Sequence, residues 1–280
     1  MKYLTPQLQF RYLSPAKINH YLKIINRRAD GYHDLLLDFI PVDLCDEITF
    51  LPNSDNELKV ISSNGIPQEQ NIVCKTLRML ENRFTVKFSM TVAITKHIPA
   101  GGGMGGGSSN AGTVLRATEL FETALDLGSD VPFFLYKIPG IYRHGSPTPL
   151  LKLAEFSLQH IALVIPPFSV STAEAFKAVA PQVIPQTYIE PADFNYRDMW
   201  ENPAEINDFM RPAHPCYKKL QEIYALIKSA GFDGVFLTGT GSVMYGICRN
   251  KNCFEKAVRL LGDLILAIPL RTSVPAVLFL

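Results

Sequence analysis

The feature of this sequence that most restricts its fold is a run of six glycines within seven residues, from Gly101 to Gly107. The run follows a segment in which Met90, Val92 and Ile94 alternate with polar or small residues, a pattern that predicts a strand. A helical apolar pattern begins directly after it. A glycine-rich turn between a strand and a helix N-terminus directs several backbone N–H groups toward one point. The run therefore predicts a phosphate-binding loop.

The alternative interpretation of the glycine run is a flexible linker or a plain tight turn. A linker rarely joins a patterned strand directly to a patterned helix, which favours the phosphate loop. It is not a Walker A loop, because no Gly-Lys-Ser/Thr ends it, and no acidic residue at the usual distance completes a dinucleotide fingerprint. The hydroxyls of Ser108 and Ser109 could hold a phosphate oxygen or a Mg²⁺ ion. The motif alone indicates a phosphate ligand and favours a nucleotide.

A second glycine turn, Thr238 to Ser242, lies between two apolar strand-like runs. A hairpin explains it equally well when it is taken alone, but two such turns in one chain favour a cleft between two lobes. Strands and helices alternate irregularly in each half, which predicts an α+β fold with an N-terminal lobe over 1–153 and a C-terminal lobe over 154–280. The Pro-rich stretch 181–203 is predicted to be a surface connection.

Several helices and strands can be predicted from apolar periodicity and turn residues. Asn71 is a predicted N-cap. Helices are predicted over 71–84, 173–180, 217–229 and 254–261, and strands over 12–25, 44–51, 88–99, 160–167, 231–237, 243–248 and 274–280.

Composition excludes several classes of function. Lys and Arg number 27 against 26 Asp and Glu, so a net charge of +1 provides no field that would attract nucleic acid or an anionic membrane. The N-terminus lacks the apolar run of a signal peptide, and the apolar stretch 161–173 is too short to span a bilayer. The five cysteines are scattered, without zinc-site spacing. We therefore expect a reduced, cytoplasmic protein.

Two charged residues are candidates for phosphoryl-transfer chemistry, which needs charge neutralisation and a group that orients or deprotonates the acceptor hydroxyl. Asp130 lies in GSDVPFF, beside an aromatic run that would bury its surroundings. Lys17 lies in SPAKIN, with Asn19 on the same side of the predicted strand. Taken singly, a helix N-cap explains Asp130 and a solvated strand lysine explains Lys17 at least as well.

The segments SPAKIN, RRADGYH, PAGGGMGGGSSNAG, GSDVPFF and TGTGS occur together in this order. The set resembles the GHMP small-molecule kinase family over nearly the whole chain, and PAKIN with RADGYH resembles its cytidyl-substrate branch. The resemblance implies a two-lobed fold with a smaller α/β-sandwich C-terminal lobe and an active site in the cleft between the lobes. It also implies transfer of the γ-phosphoryl group of ATP, with Mg²⁺, to the 2-hydroxyl of 4-diphosphocytidyl-2-C-methyl-D-erythritol in the non-mevalonate isoprenoid-precursor pathway.

The same resemblance implies roles for individual residues. Asp130 would orient or deprotonate the acceptor hydroxyl, and Lys17 would keep Asp130 ionised and neutralise phosphoryl charge. Asn19 would hold the acceptor part of the substrate. Ser108 is the implied contact to Mg²⁺, through the phosphates. The implied ATP-binding residues are Asn71 and Lys96 near the adenine, and Pro99, Ala100, Gly101, Gly102, Gly103, Met104, Gly105, Gly106, Gly107, Ser108 and Ser109 along the phosphates.

Three further residues are implied at the cytosine. The Tyr32 ring would stack on the base and His33 would hydrogen-bond to its edge, while Phe176 would lie on the opposite face. A base between two rings would give the site its pyrimidine preference. Without the resemblance, a half-buried aromatic residue and a surface histidine are the better interpretations of Tyr32 and His33.

The chain departs from the family pattern between SSN and GSD, where Ala111 to Leu127 is shorter than expected by about a turn and part of a helix. Either the chain has a real deletion or a segment is missing from the sequence, and the abrupt join favours a missing segment. The departure affects the lid expected on the nucleotide side of the site, rather than Lys17 or Asp130.

Two other functions remain open from the sequence. One is a GHMP kinase for a different alcohol, such as mevalonate, homoserine or a sugar, against which RADGYH and Phe176 argue because those substrates contain no base. The other is a GHMP-fold binding protein without catalysis, against which the intact Lys17, Asp130 and glycine loop argue. The expected partners are small molecules only, with no nucleic acid and no membrane, and the chain is expected to be a monomer or a weak homodimer.

Overall fold

The computed structural model describes residues 2–4, 9–146, 148–152, 160–182, 206–261 and 266–270. Its main elements, in chain order, are β1 (Lys2–Leu4), β2 (Phe10–Ile18), β3 (Leu22–Arg27), β4 (His33–Pro52), β5 (Leu58–Ser62), α1 (Ile72–Phe84), β6 (Val86–Phe88), β7 (Met90–Thr95), α2 (Gly106–Thr118), α3 (Ala124–Leu127), α4 (Val131–Tyr136), β8 (Gly140–Arg143), β9 (Leu151–Lys152), β10 (Ile161–Ile165), α5 (Thr172–Val179), α6 (Tyr217–Ser229), β11 (Gly234–Leu237), β12 (Met244–Ile247), α7 (Lys251–Leu261) and β13 (Leu266–Leu270).

A seven-stranded sheet in the N-terminal half is organised around the long strand β4. The first part of β4 pairs antiparallel with β3 and β8, and its second part pairs antiparallel with β2 and β7. The pairing of β2 with β4 shifts register between Pro15 and Lys17. Irregularities of this kind re-aim side chains and occur next to active sites. The shift therefore falls directly before the candidate Lys17.

The helices α1 and α2 pack on this sheet through apolar faces. The predicted helix over 71–84 is confirmed, and Asn71 caps it by accepting a hydrogen bond from the backbone N–H of Val73 at 2.9 Å. Leu77 and Leu80 of α1 are fully buried, together with Val114 and Leu115 of α2. Because α2 begins at Gly106, within the glycine run, this packing fixes the direction in which the run leaves the sheet.

A four-stranded antiparallel sheet in the order β11-β12-β10-β13 forms the second half. The predicted strands over 160–167, 231–237 and 243–248 and the helices α5 and α6 are confirmed. Helix α7 begins at Lys251, three residues before the prediction, because the Asn250 side chain accepts from the backbone N–H of Cys253 and stabilises an earlier start. The predicted strand 274–280 and residues 183–203 of the surface connection lie outside the described residues.

The two sheets share part of their core. Ala16, Ile18 and Ile40 of the first sheet pack in one cluster with Leu163 and Tyr245 of the second, and all five are buried. The proposed lobe boundary at 153/154 lies outside the described residues and stays a prediction. The α+β fold with two lobes is as expected. The helices of the described residues include none that is both long and apolar enough to cross a membrane.

The short stretch after Asn110 forms a continuous, hydrogen-bonded connection. Helix α2 ends at Thr118 and is capped by Glu119, which has a left-handed φ of 58°. The N–H of Leu120 donates to the Leu115 carbonyl oxygen at 3.1 Å. The one-turn helix α3 then leads into Asp130 and α4. Ala111 to Leu127 thus folds as the rest of α2, a turn and the one-turn helix α3. The missing segment expected from the sequence stays a prediction.

Candidate active site

The glycine run forms a loop with alternating left-handed residues between β7 and α2. Gly101, Gly103 and Gly105 have φ values of 68°, 76° and 70°, a region that glycine adopts without strain. Gly105 is the N-cap of α2 and has no side chain with which to cap the helix. No side chain of Gly105 therefore satisfies the first backbone N–H groups of α2, and phosphate binding by these groups stays a prediction.

The two glycine turns lie against each other. A Cβ on Gly103 would stand 2.3 Å from the carbonyl oxygen of Thr238, and one on Gly102 would stand 2.5 Å from Cγ2 of Val243. The Thr238 hydroxyl donates to the Gly103 carbonyl oxygen at 3.3 Å. The turn at Thr238 also connects β11 to β12 as a hairpin. It is therefore both a hairpin turn and a partner of the first glycine turn. Side chains on the glycines would force the turns apart.

Lys17 and Asp130 meet beneath the glycine loop. Lys17 Nζ lies 3.9 Å from Asp130 Oδ2, and the Lys17 side chain is nearly fully buried while 27% of the Asp130 side chain is exposed. The backbone N–H of Lys17 donates to the Met104 carbonyl oxygen at 3.1 Å, which ties the strand to the loop. Lys17 Nζ also lies 5.4 Å from the centre of the Phe39 ring. The pair is thus a buried cation next to a carboxylate that solvent can reach.

The electrostatics of the pair follow from burial and mutual attraction. Burial lowers the pKa of Lys17 below its ordinary value, against the opposing effects of Asp130 and Asp38. Burial raises the pKa of Asp130, but Lys17 and the hydrogen bond from His144 outweigh it, so that the pKa lies below its ordinary value. Asp130 is therefore a carboxylate at neutral pH.

His144 is a contact of Asp130 that the sequence pattern did not indicate. Its Nε2 lies 2.8 Å from Asp130 Oδ1. Asp130 stands at the N-cap position of α4, but its side chain makes no capping hydrogen bond. The helix-cap interpretation of Asp130 is therefore wrong for the side chain. No motif surrounds His144, and only the return of the chain along β8 brings it to this position.

Asn19 joins Lys17 to the second glycine turn. Its Oδ1 accepts from Lys17 Nζ at 2.5 Å and from the backbone N–H of Gly239 at 3.1 Å. Its Nδ2 donates to the Asp38 carbonyl oxygen. Asn19 is fully buried, so these contacts orient the lysine. Its implied contact with the acceptor part of a substrate stays a prediction.

On the side expected to bind the nucleotide, two predicted residues are engaged in structural contacts. Asn71 caps α1, and its neighbour Ile72 places Cγ2 3.9 Å from the position of a Cβ on Gly107. Lys96 forms an ion pair with the fully buried Asp46 and donates to Asn110 Oδ1 at 3.0 Å. Both residues thus lie beside the start of α2. Their contacts with adenine stay predictions.

The two serines after the glycine run have different surroundings. Ser109 is fully buried, and its hydroxyl oxygen accepts from the Ser14 hydroxyl at 2.8 Å. Ser108 lies in the first turn of α2 and is partly exposed. Of the two hydroxyls, Ser108 is therefore the one that is accessible to a phosphate or a phosphate-bound cation. Ser109 secures the helix to strand β2.

The predicted base-binding residues lie at the turn before β4 and on α5. Tyr32 is 71% exposed at the end of a turn in which its backbone N–H donates to Asp30 Oδ1 at 3.0 Å. The rings of His33 and Phe176 stack with a centroid distance of 5.0 Å and an interplanar angle of 20°. The structure thus brings His33 into contact with Phe176. A base held between Phe176 and Tyr32 stays a prediction.

Asn207 and Asp208 support the site and were missed from the sequence. Asn207 Nδ2 donates to the carbonyl oxygens of Leu237 and Gly239 at 2.9 and 3.0 Å, which holds the second glycine turn. The buried Asp208 pairs with Lys23 at 3.1 Å. The segment IND follows a Pro-rich stretch, and nothing in its pattern signals these long-range contacts.

Comparisons with known proteins agree with this geometry. Residues 71–137, which include the glycine loop and Asp130, match the N-terminal domain of the GHMP kinases. A 4-diphosphocytidyl-2-C-methyl-D-erythritol kinase of Porphyromonas gingivalis is 32% identical over 259 residues, which cover 86% of this chain and 93% of the relative. The chain belongs to this kinase family. It is therefore a small-molecule kinase of the GHMP type, as the motifs indicated.

Further relatives extend the comparison. A kinase of the same name from Thermodesulfovibrio yellowstonii is 31% identical and covers 87% of this chain and 91% of its own length. The crystal structure of a 4-(cytidine 5'-diphospho)-2C-methyl-D-erythritol kinase has a TM-score of 0.77 and 28% identity, and covers 94% of this chain and 100% of that one. A homoserine kinase from Cytophaga hutchinsonii, at 15% identity and a TM-score of 0.59, covers 99% of this chain and 100% of its own. It shares the fold alone.

Proposed function

We propose that this kinase transfers the γ-phosphoryl group of ATP to the 2-hydroxyl of 4-diphosphocytidyl-2-C-methyl-D-erythritol, giving the 2-phosphate. The relatives named for this substrate match nearly the whole chain. The observation that most supports the chemistry is the Lys17–Asp130 pair directly beneath the glycine loop. A loop for phosphates and a carboxylate for a hydroxyl then lie within one site.

Asp130 and Lys17 act on the acceptor in this proposal. The acceptor hydroxyl loses its proton to Asp130 Oδ2 as its oxygen attacks the γ-phosphorus, and the bond between that phosphorus and the β–γ bridging oxygen breaks. Lys17 keeps Asp130 ionised before the transfer and neutralises charge on the phosphoryl group during it. Asn19 keeps the lysine aimed at the carboxylate through its 2.5 Å hydrogen bond.

The glycine loop and the first turn of α2 bind the ATP phosphates through backbone N–H groups. A Cβ at Gly103 or Gly105 would collide with Thr238 or Phe134, so the loop is packed against the protein on that side and keeps its shape. The partly exposed Ser108 hydroxyl suits a Mg²⁺ ion held mainly by the phosphates. When bound, Mg²⁺ would neutralise phosphate charge and orient the γ-phosphoryl group.

The cytidyl group binds at the turn before β4. The exposed Tyr32 is free to stack on the base, and the half-buried His33 offers a ring nitrogen to its edge. Phe176 lies close by, because its ring stacks on that of His33. Mevalonate, homoserine and sugars have no group for these rings, which favours the cytidyl substrate over those alternatives.

Turnover of ATP to ADP by the purified chain with Mg²⁺ tests the proposal. We expect turnover with the cytidyl substrate and none with mevalonate, homoserine or galactose. Turnover with one of the latter would refute the substrate assignment. Absence of turnover with all four, in a folded protein that still binds ATP, would favour the binding-protein alternative.

The role of Asp130 is tested with Asp130→Asn, with Asp126→Asn as the matched control. A positioned general base contributes about 10²- to 10⁴-fold, so kcat should fall by that factor while ATP affinity changes little. Asp126 is a surface residue whose side chain is 57% exposed, so its substitution should leave kcat unchanged. Undiminished turnover in Asp130→Asn would remove Asp130 from its role.

A further inference from the structure

The two carboxylate oxygens of Asp130 have different partners. Oδ1 lies 2.8 Å from Nε2 of His144, whereas Oδ2 lies 3.9 Å from Nζ of Lys17. A hydrogen bond to a carboxylate is among the stronger ones in proteins, and its angular preference fixes the carboxylate plane. The looser contact with Lys17 leaves Oδ2 as the oxygen that can accept a further proton.

The backbone of His144 is itself anchored. Its N–H donates to the carbonyl oxygen of Leu35 at 3.1 Å, which continues the pairing of β8 with β4. A turn follows at once, with Gly145 at a φ of 87° and the N–H of Ser146 donating to the Arg143 carbonyl oxygen at 3.0 Å. The imidazole therefore projects from a fixed point of the sheet rather than from a free loop.

The side chain of Asp130 has an alternative orientation, in which it would cap α4 and face away from Lys17. It occupies the N-cap position of α4, where an aspartate commonly accepts from the helix N–H groups. A carboxylate turned toward those groups would lose its orientation to Lys17 and to an acceptor. The observed side chain makes no such cap, and it points to His144 instead.

We propose that His144 is a positioning residue for Asp130, which fixes one carboxylate oxygen so that the other faces Lys17 and the acceptor hydroxyl. The inference rests on the role proposed above for Asp130. It adds a residue to the phosphoryl-transfer machinery that acts through the base and not on the substrate.

Steady-state kinetics of the full chain test this role. Displacing a catalytic group by about an ångström lowers the rate by up to roughly 100-fold. His144→Ala should therefore lower kcat by about tenfold to 100-fold, with little change in the KM for ATP or for the acceptor. His144→Gln retains an N–H donor at a similar reach and should restore most of kcat. The matched control is His160→Ala, a partly exposed histidine ahead of β10, which should leave kcat unchanged.

A double-mutant cycle separates positioning from a general structural effect. In an Asp130→Ala background, His144→Ala should change the residual kcat by less than about twofold, because there is no carboxylate left to position. An equal loss in both backgrounds would overturn the proposal, as would unchanged kcat in His144→Ala. No rescue by His144→Gln would equally contradict a role as hydrogen-bond donor.

A measurement without turnover keeps this test independent of the substrate assignment. In the NMR spectrum of protein labelled with ¹⁵N-histidine, the Nε2 signal that disappears in His144→Ala belongs to His144. This signal should shift in Asp130→Ala, because the hydrogen bond between His144 and Asp130 is lost. The shift is expected even if none of the four acceptors is phosphorylated. An Nε2 signal that stays in place in Asp130→Ala would refute the contact itself.

Discussion

Substituting Gly103 by alanine is expected to separate the two glycine turns. A Cβ at this position would lie 2.3 Å from the Thr238 carbonyl oxygen, against about 3.3 Å for an ordinary C···O contact. The turns must therefore move apart by about 1 Å, and the hydrogen bond from the Thr238 hydroxyl to the Gly103 carbonyl is strained or lost. The same turn is hydrogen-bonded through Gly239 to Asn19, which orients Lys17.

A matched control separates this contact from the backbone cost of the substitution. Gly65 has a φ of 71°, close to the 76° of Gly103, but a Cβ there would meet nothing within 4 Å. Alanine in the left-handed region costs roughly 1–2 kcal/mol at either position. Gly103→Ala should lower the free energy of unfolding by about 1–3 kcal/mol more than Gly65→Ala, which is the usual cost of overpacking.

Urea unfolding of both variants measures the stability difference, and ATP turnover measures its consequence. Gly103→Ala should lower kcat by up to about 100-fold, because the displacement of about 1 Å reaches Lys17 through Asn19. Gly65→Ala should keep the activity of the unmodified enzyme. Equal stability and equal activity of the two variants would show that the glycine turns do not contact each other in solution.

Three further expectations concern separate parts of the site. Tyr32→Ala should raise the KM for the cytidyl substrate by the equivalent of about 1–3 kcal/mol, and an effect confined to the KM for ATP would reverse the assignment of the two pockets. Burial lowers the pKa of Lys17 from 10.5 more than Asp130 and Asp38 raise it. kcat/KM should therefore fall as the pH rises through the lowered pKa of Lys17. The residual activity of Lys17→Arg should not show this fall at alkaline pH, because a guanidinium keeps its proton. Asp208→Ala removes a fully buried ion-pair carboxylate and should cost about 3–5 kcal/mol in urea unfolding; a loss below 1 kcal/mol would contradict its structural role.

The parts of the fold that depend on local sequence were predictable. Asn71 caps α1 because its side chain satisfies an N–H two residues away, and the apolar period of 217–229 gives α6 its bounds. The glycine loop was recognisable because strand, glycines and helix follow one another directly. In each case the residues that determine the structure are neighbours in the chain.

Contacts between distant segments were not predictable from pattern. His144 reaches Asp130 only because β8 folds back onto β4, and Asn207 reaches Leu237 and Gly239 across 30 and 32 residues. The segments around His144 and Asn207 have no unusual composition. Their roles depend on where two chain segments meet, and a single sequence does not record that.

The core that the two sheets share beneath the site holds the sheets together. The Tyr245 hydroxyl of β12 donates to the Asn19 carbonyl oxygen at 2.8 Å, while Ile18 and Leu163 belong to one buried cluster. Separating the two sheets would therefore break contacts that orient Lys17. The side chain of Tyr32, by contrast, is mostly exposed. We therefore expect the turn that carries Tyr32, rather than a movement between the two sheets, to adjust when the cytidyl substrate binds, so that the contact between Lys17 and Asp130 is kept.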